Sequence, residues 1–202
     1  IRRSAGGVLP TSPRLREKTV NMPDQSTSRI VLWPWLLGAG AVILLDLITK
    51  QLVLINIPMH ARLPMVGQFL SLTHVHNHGA AFSFLNDAGG WQRWFFIVLA
   101  LVISTAIVVW LRSLPRHDRW FALALTLILG GAIGNVIDRI IYGYVIDFIL
   151  AHYNSWSFPA FNVADSAISV GAAIIVIMFI FNPEKRREML SDNSKPEADN
   201  NE

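Results

Sequence analysis

Residues 120–139 read Trp120-Phe-Ala-Leu-Ala-Leu-Thr-Leu-Ile-Leu-Gly-Gly-Ala-Ile-Gly134-Asn135-Val-Ile-Asp138-Arg139. No charge interrupts the run from Trp120 to Ile137, which is close to the ~20 residues an α-helix needs to cross a hydrocarbon core of ~30 Å. The run then stops in Asn, Asp and Arg. Three other stretches repeat the pattern: residues 30–45, apolar again over 52–57 after Asp46, then 94–111 and 166–183. Any one of them alone reads equally as a buried core helix. Four in so short a chain specify an all-α polytopic membrane protein with four transmembrane helices. Trp33, Trp35, Trp91, Trp94, Trp110 and Trp120 fall at span ends, where an interfacial aromatic belt places them. The first span is long, lacks a small-x-small exit and ends in Asp46 and Lys50, so it does not read as a cleaved signal peptide.

The composition agrees. The 202 residues are 52% apolar and 15% charged, against about 25% charge in soluble domains. Only 13 charged residues lie in 30–181, between polar ends. The absence of Cys removes thiol nucleophiles, iron–sulfur clusters and disulfides. The net charge of +3 rests on residues 1–21, which carry five bases and one acid; without them the sign reverses, so a nucleic-acid partner is not expected. That segment is rich in Gly, Pro, Ser and Arg and shows no apolar periodicity. Met22 is the expected natural start. The expected layout is a cytoplasmic tail over residues 1–29, with 1–21 not native, a four-helix transmembrane domain over 30–182, and a cytoplasmic tail over 183–202.

Lys and Arg set the orientation. Arg29, the Arg112/Arg116/Arg119 link and the Lys185/Arg186/Arg187 tail are basic, whereas residues 60–91 hold Arg62 alone and the third-to-fourth connection only Arg139 at its start. The positive-inside rule then predicts both termini in the cytoplasm and both long loops outside. In the first outer loop Leu70 and Leu72 alternate with Ser71 and Thr73, which predicts a strand on the membrane surface. The aromatic, β-branched second loop, residues 142–159, is expected to pair with it.

Acids inside or at the end of spans are costly and point to function. On this topology Asp46, Asp138, Asp147 and Asp165 all reach the outer depth. Asp46 has Lys50 four residues on, and Asp138 has Arg139 beside it; structural ion pairs and a direct site role are equally open for these two. Asp147 and Asp165 have no basic neighbour in sequence and stand among apolar residues. Two such carboxyls in a dry place share a proton. They can then activate water and protonate a carbonyl, relay protons, or simply form a hydrogen-bonded structural pair. The alternating His74, His76 and His78 share a strand face and read as a metal site or, more simply, as a solvated strand. Gly130 and Gly134 fit close helix packing. A Ser/Lys hydrolase using Ser71 or Ser83 is opposed by the Asp46 partner of Lys50. Two rival classes are a proton-coupled transporter, which needs polar groups through the full membrane depth, and a non-catalytic assembly factor.

Five motifs occur in order: Asp46-x-x-Thr49-Lys50; Asn77-x-Gly79-Ala80-Ala81-Phe82-Ser83; Gly134-Asn135-x-x-Asp138-Arg139; Val145-x-Asp147-Phe148; and Phe161-Asn162-x-Ala164-Asp165. Together they resemble the prolipoprotein signal peptidases, or signal peptidase II, the bacterial membrane aspartyl proteases. The resemblance implies a catalytic dyad of Asp147 and Asp165, with Asp46, Lys50, Asn77, Gly79, Asn135, Asp138, Arg139 and Asn162 as substrate-binding or supporting residues. It further implies cleavage of diacylglyceryl-modified prolipoproteins before the lipidated Cys, no metal or other cofactor, inhibition by globomycin-type cyclic peptides, and a small extracytoplasmic β-cradle with a surface helix. The expected protein is a monomer in the inner membrane, in contact with its lipids, with the active site on the periplasmic side.

Overall fold

The computed structural model describes residues 29–79 and 90–181. The suspected start at Met22, both tails apart from Arg29, Ser83 and the Ala80–Ser83 part of the second motif lie outside them. Four helices and four strands follow in the order α1 (Leu32–Asn56), β1 (Arg62–Val66), β2 (Leu70–Asn77), α2 (Trp91–Ser113), α3 (Arg119–Ile141), β3 (Val145–Tyr153), β4 (Trp156–Ser157) and α4 (Val163–Phe181). All four helices are long and apolar enough to cross a membrane. Among the described residues there is no fifth, surface-lying helix.

Local chemistry sets the helix ends. Pro34 sits in the first turn of α1, where its missing N–H is not needed. The C-cap of α1 is Ile57, the residue before Pro58, and that of α2 is Leu114, before Pro115; both adopt the extended backbone that a following proline favours. At the end of α3 the amides of Tyr142 and Gly143 bond back to Asp138 and Arg139 carbonyls, with Gly143 at φ +87°.

α3 is the central helix, packing on α1, α2 and α4. Small residues permit this. A methyl group at Gly131 would collide with the Ala164 carbonyl of α4, and one at Gly130 would come within 2.7 Å of Val42 on α1. Since lipid supplies no hydrophobic drive between helices, such close approach supplies the van der Waals attraction that holds them. One apolar cluster, with Ile30, Leu111, Leu114, Phe121 and Leu125, ties α1, α2 and α3 near the Arg112–Arg119 end. A second joins Val53 and Ile57 of α1 to Ile146 and Phe148 of β3, fixing the sheet on the bundle's other end.

The strands form one antiparallel sheet in the order β1-β2-β3-β4. The two outer loops do pair, and the expected strand at residues 70–73 continues to Asn77, with Val75 opposite Asp147 and Asn77 opposite Val145. Trp33, Trp91, Trp94 and Trp120 are exposed at helix ends.

Candidate active site

Asp147 is carried by β3 between Ile146 and Phe148, both buried against α1, and is itself only 2% exposed. Asp165 lies in the first turn of α4, half-buried. Backbone bonds clamp the two elements together: the Phe161 carbonyl accepts from the amides of Phe148 (3.0 Å) and Ile149 (2.8 Å), and the Phe161 amide donates to the Ile149 carbonyl (3.0 Å). Asn162 follows and caps α4. Its Oδ1 accepts from the Asp165 amide at 2.9 Å, while an Asp165 carboxylate oxygen accepts from the Asn162 amide at 3.2 Å. This is a reciprocal capping box in which the helix-starting acid is also the candidate catalytic group.

Three asparagine amides aim N–H groups at the two carboxyls. Asn77 Nδ2 donates to Asp147 Oδ2 (2.9 Å), Asn162 Nδ2 to Asp147 Oδ1 (2.8 Å) and Asn135 Nδ2 to Asp165 Oδ1 (2.8 Å). Asn135 Oδ1 in turn accepts from Lys50 Nζ (3.1 Å) and Asn162 Nδ2 (3.2 Å). Every amide is thereby fixed in one orientation. Burial, and next the Asp165 charge, push the Asp147 carboxyl up to about 7; the Asn77 and Asn162 bonds and Lys50 pull the other way. A carboxyl titrating there supplies or accepts a proton at neutral pH.

Beneath them Lys50, 1% exposed, bridges Asp46 (2.6 Å) and Asp138 (2.8 Å), both buried. The bridge is structural in its reach. Asp46 Oδ1 accepts from the Ala164 amide at the start of α4 (2.8 Å), and Asp138 Oδ2 from the Ile146 amide, one residue before Asp147 (3.1 Å). One ammonium group therefore anchors the backbone next to both candidate catalytic aspartates. Gly134 belongs to the same arrangement, since a methyl there would lie 2.8 Å from Asp46 Oδ2.

The expected Asp138–Arg139 pairing is corrected: Asp138 pairs with Lys50. Consecutive residues of a helix point in different directions, so Arg139 instead donates to the Asn135 carbonyl (3.2 Å) and lies over the Phe96 ring at 5.1 Å. Its charge still acts on Asp165, Asp147 and, more weakly, Asp138. The same Phe96 closes on Gly79, whose φ is +114° and whose amide donates to Asn77 Oδ1. Ser71 bonds His152 at 2.7 Å, leaving Lys50 with its carboxylates. Sequence reasoning missed Phe96 and the Phe161 clamp; the first is one aromatic among many, and the second acts through backbone atoms that carry no side-chain signal.

A family profile described as signal peptidase (SPase) II matches residues 39–181. The chain belongs to the signal peptidase II family. A lipoprotein signal peptidase of Pseudomonas syringae pv. tomato is 45% identical over 85% of the chain and 100% of that protein, and one of Pseudomonas aeruginosa is 46% identical over 77% and 92%. A solved bacterial membrane enzyme superposes with a TM-score of 0.69 at 28% identity, covering 79% of this chain and 95% of that one; a second gives 0.68. As a signal peptidase II the protein is a multi-pass membrane protease, and all the side chains of the network above lie within the matched residues.

Proposed function

We propose that this signal peptidase II is an aspartyl endopeptidase that removes the signal peptide of diacylglyceryl-modified prolipoproteins with Asp147 and Asp165 as its dyad. The observation that carries the reading is the joint placement of two carboxyls, one titrating near 7, oriented by Asn77, Asn135 and Asn162. The pair holds one proton. The ionised carboxylate takes a proton from water as its oxygen attacks the carbonyl carbon before the lipidated Cys, and the protonated partner gives its proton to the carbonyl oxygen. The gem-diol collapses as the C–N bond breaks and a proton passes to the leaving amine, so that signal-peptide carboxyl and lipoprotein amine separate. The two acids titrate as a unit, and the roles belong to the pair.

The positive-inside reading supports cytoplasmic termini and a periplasmic active site, where water meets a scissile bond held at the outer leaflet. Asp46, Lys50 and Asp138 serve as positioning residues, and Asn77, Gly79, Asn135, Arg139 and Asn162 line or orient the site. The acids of the described spans gather at one end, which disfavours a proton path across the membrane. Purified monomer should cleave a lipidated prolipoprotein, spare the same precursor without its diacylglyceryl group, and be blocked by globomycin. Cleavage of both precursors at equal rates would defeat the substrate assignment.

A further inference from the structure

Peptide hydrolysis leaves unused the densest histidine cluster in the chain. Four of the six histidines, His60, His74, His76 and His78, stand close together in sequence, where the end of α1 meets β2. His74 is buried, and its Nδ1 lies 2.9 Å from the Ile57 carbonyl oxygen. A carbonyl only accepts, so Nδ1 bears the proton and Nε2 of the neutral ring presents a bare lone pair. That Nε2 faces His76 Nε2 at 3.1 Å, with the ring planes inclined at 61°. His76 is held in place by Tyr144, stacked at 3.8 Å and 16°.

We propose that His74 and His76 chelate a late first-row divalent cation, Zn²⁺ or Cu²⁺, through their Nε2 atoms, with His60 as third ligand. Nitrogens bound tetrahedrally to zinc at about 2.0–2.1 Å stand roughly 3.3 Å apart, within a few tenths of an ångström of the observed separation. The His74 Nδ1–H to carbonyl bond is the kind of support that orients ligating imidazoles and fixes their tautomer. Imidazole donors suit zinc and copper rather than magnesium or calcium.

The third ligand follows from the turn between α1 and β1. The His60 amide donates to the His74 carbonyl at 2.9 Å, its φ is +62°, and its side chain is exposed. A charge on His60 is felt at His76. Among the described residues no three such side chains already converge; the site closes when His60 turns inward. His78 packs edge-on against Tyr144, on which His76 stacks, and is not assigned as a ligand. A bound cation would tie the turn to β2 one residue before Asn77, whose amide orients Asp147.

The test uses the full-length, tag-free protein in detergent at neutral pH, titrated with Zn²⁺ by calorimetry and with Cu²⁺ by electron paramagnetic resonance. One saturable equivalent is expected, with nitrogen hyperfine structure on copper and a metal-dependent rise in melting temperature. His76→Gln and His74→Gln should each weaken binding by about tenfold or more, His60→Ala by less, and His117→Ala not at all. Each variant's metal-free melting temperature shows whether it folds, and if one histidine variant does not fold the other decides. Absence of a saturable site, unchanged affinity in a folded His76→Gln or His74→Gln protein, or equal weakening by His117→Ala would overturn the proposal.

Discussion

Removing the Asn162 side chain separates its two jobs. In Asn162→Ala the α4 cap is lost, at about 1 kcal/mol, and so is the bond from Nδ2 to Asp147 Oδ1, at about 1.5–3 kcal/mol for a charged acceptor. The residue is fully buried, so water does not replace it. The variant should therefore lose about 2–4 kcal/mol of stability. Asn162→Ser keeps a cap oxygen for the Asp165 amide but not the Nδ2 donor, and should recover about 1 kcal/mol of that loss. Catalysis should respond differently. The Asn162 bond lowers the Asp147 value, which stands at about 7; losing it removes about 1 kcal/mol of preference for the ionised form, or about 0.7 of a pH unit. The alkaline limb of kcat/KM should move upward by that amount in both variants. Thermal unfolding in detergent and pH–rate profiles on lipidated prolipoprotein measure the two effects. Equal stabilities for Ala and Ser, or an alkaline limb that stays in place, would refute this division of roles.

Lys50→Met should cost about 3–5 kcal/mol, because Asp46 and Asp138 would stay buried without their cation; adding Asp46→Asn and Asp138→Asn should restore much of the melting temperature but not the activity. Gly79→Ala should abolish most cleavage, since the new methyl meets the Phe96 ring at 2.5 Å and the φ of +114° is strained for alanine; normal rates would show that the Gly79–Phe96 contact is dispensable. Asp147 binds its proton more tightly folded, at about 7, than at its unfolded value of 3.8. The stability it lends at low pH is therefore lost as pH rises through 7. Asp147→Asn should accordingly melt higher than the parent at pH 8, with the gap closing toward pH 4.

Much of this was legible in the sequence because a membrane restricts what a charge can do. Thirteen charged residues over 30–181 are few enough to sort singly, and the spans were evident since apolar runs of that length have few alternatives. The Asp46–Lys50 pair followed from helical spacing. Asp138 did not follow, because its partner lies on another helix, and adjacency to Arg139 misled where direction mattered. Pairing of the outer loops was readable from alternation, but the bulge between Leu72 and Val75 was not. The clamp at Phe161 and the amides of Ala164 and Ile146 are backbone groups, whose anchoring to Asp46 and Asp138 is settled only by how α4 and β3 dock.

The central claim is that Asp147 and Asp165 act together on water. Single-turnover cleavage of a lipidated prolipoprotein by folded Asp147→Asn and, separately, Asp165→Asn tests it most directly. Each variant should still bind the substrate yet lose on the order of 10³-fold or more in rate, and the double variant should lose little beyond either single one. Cleavage at the parent rate by either folded variant would contradict the dyad.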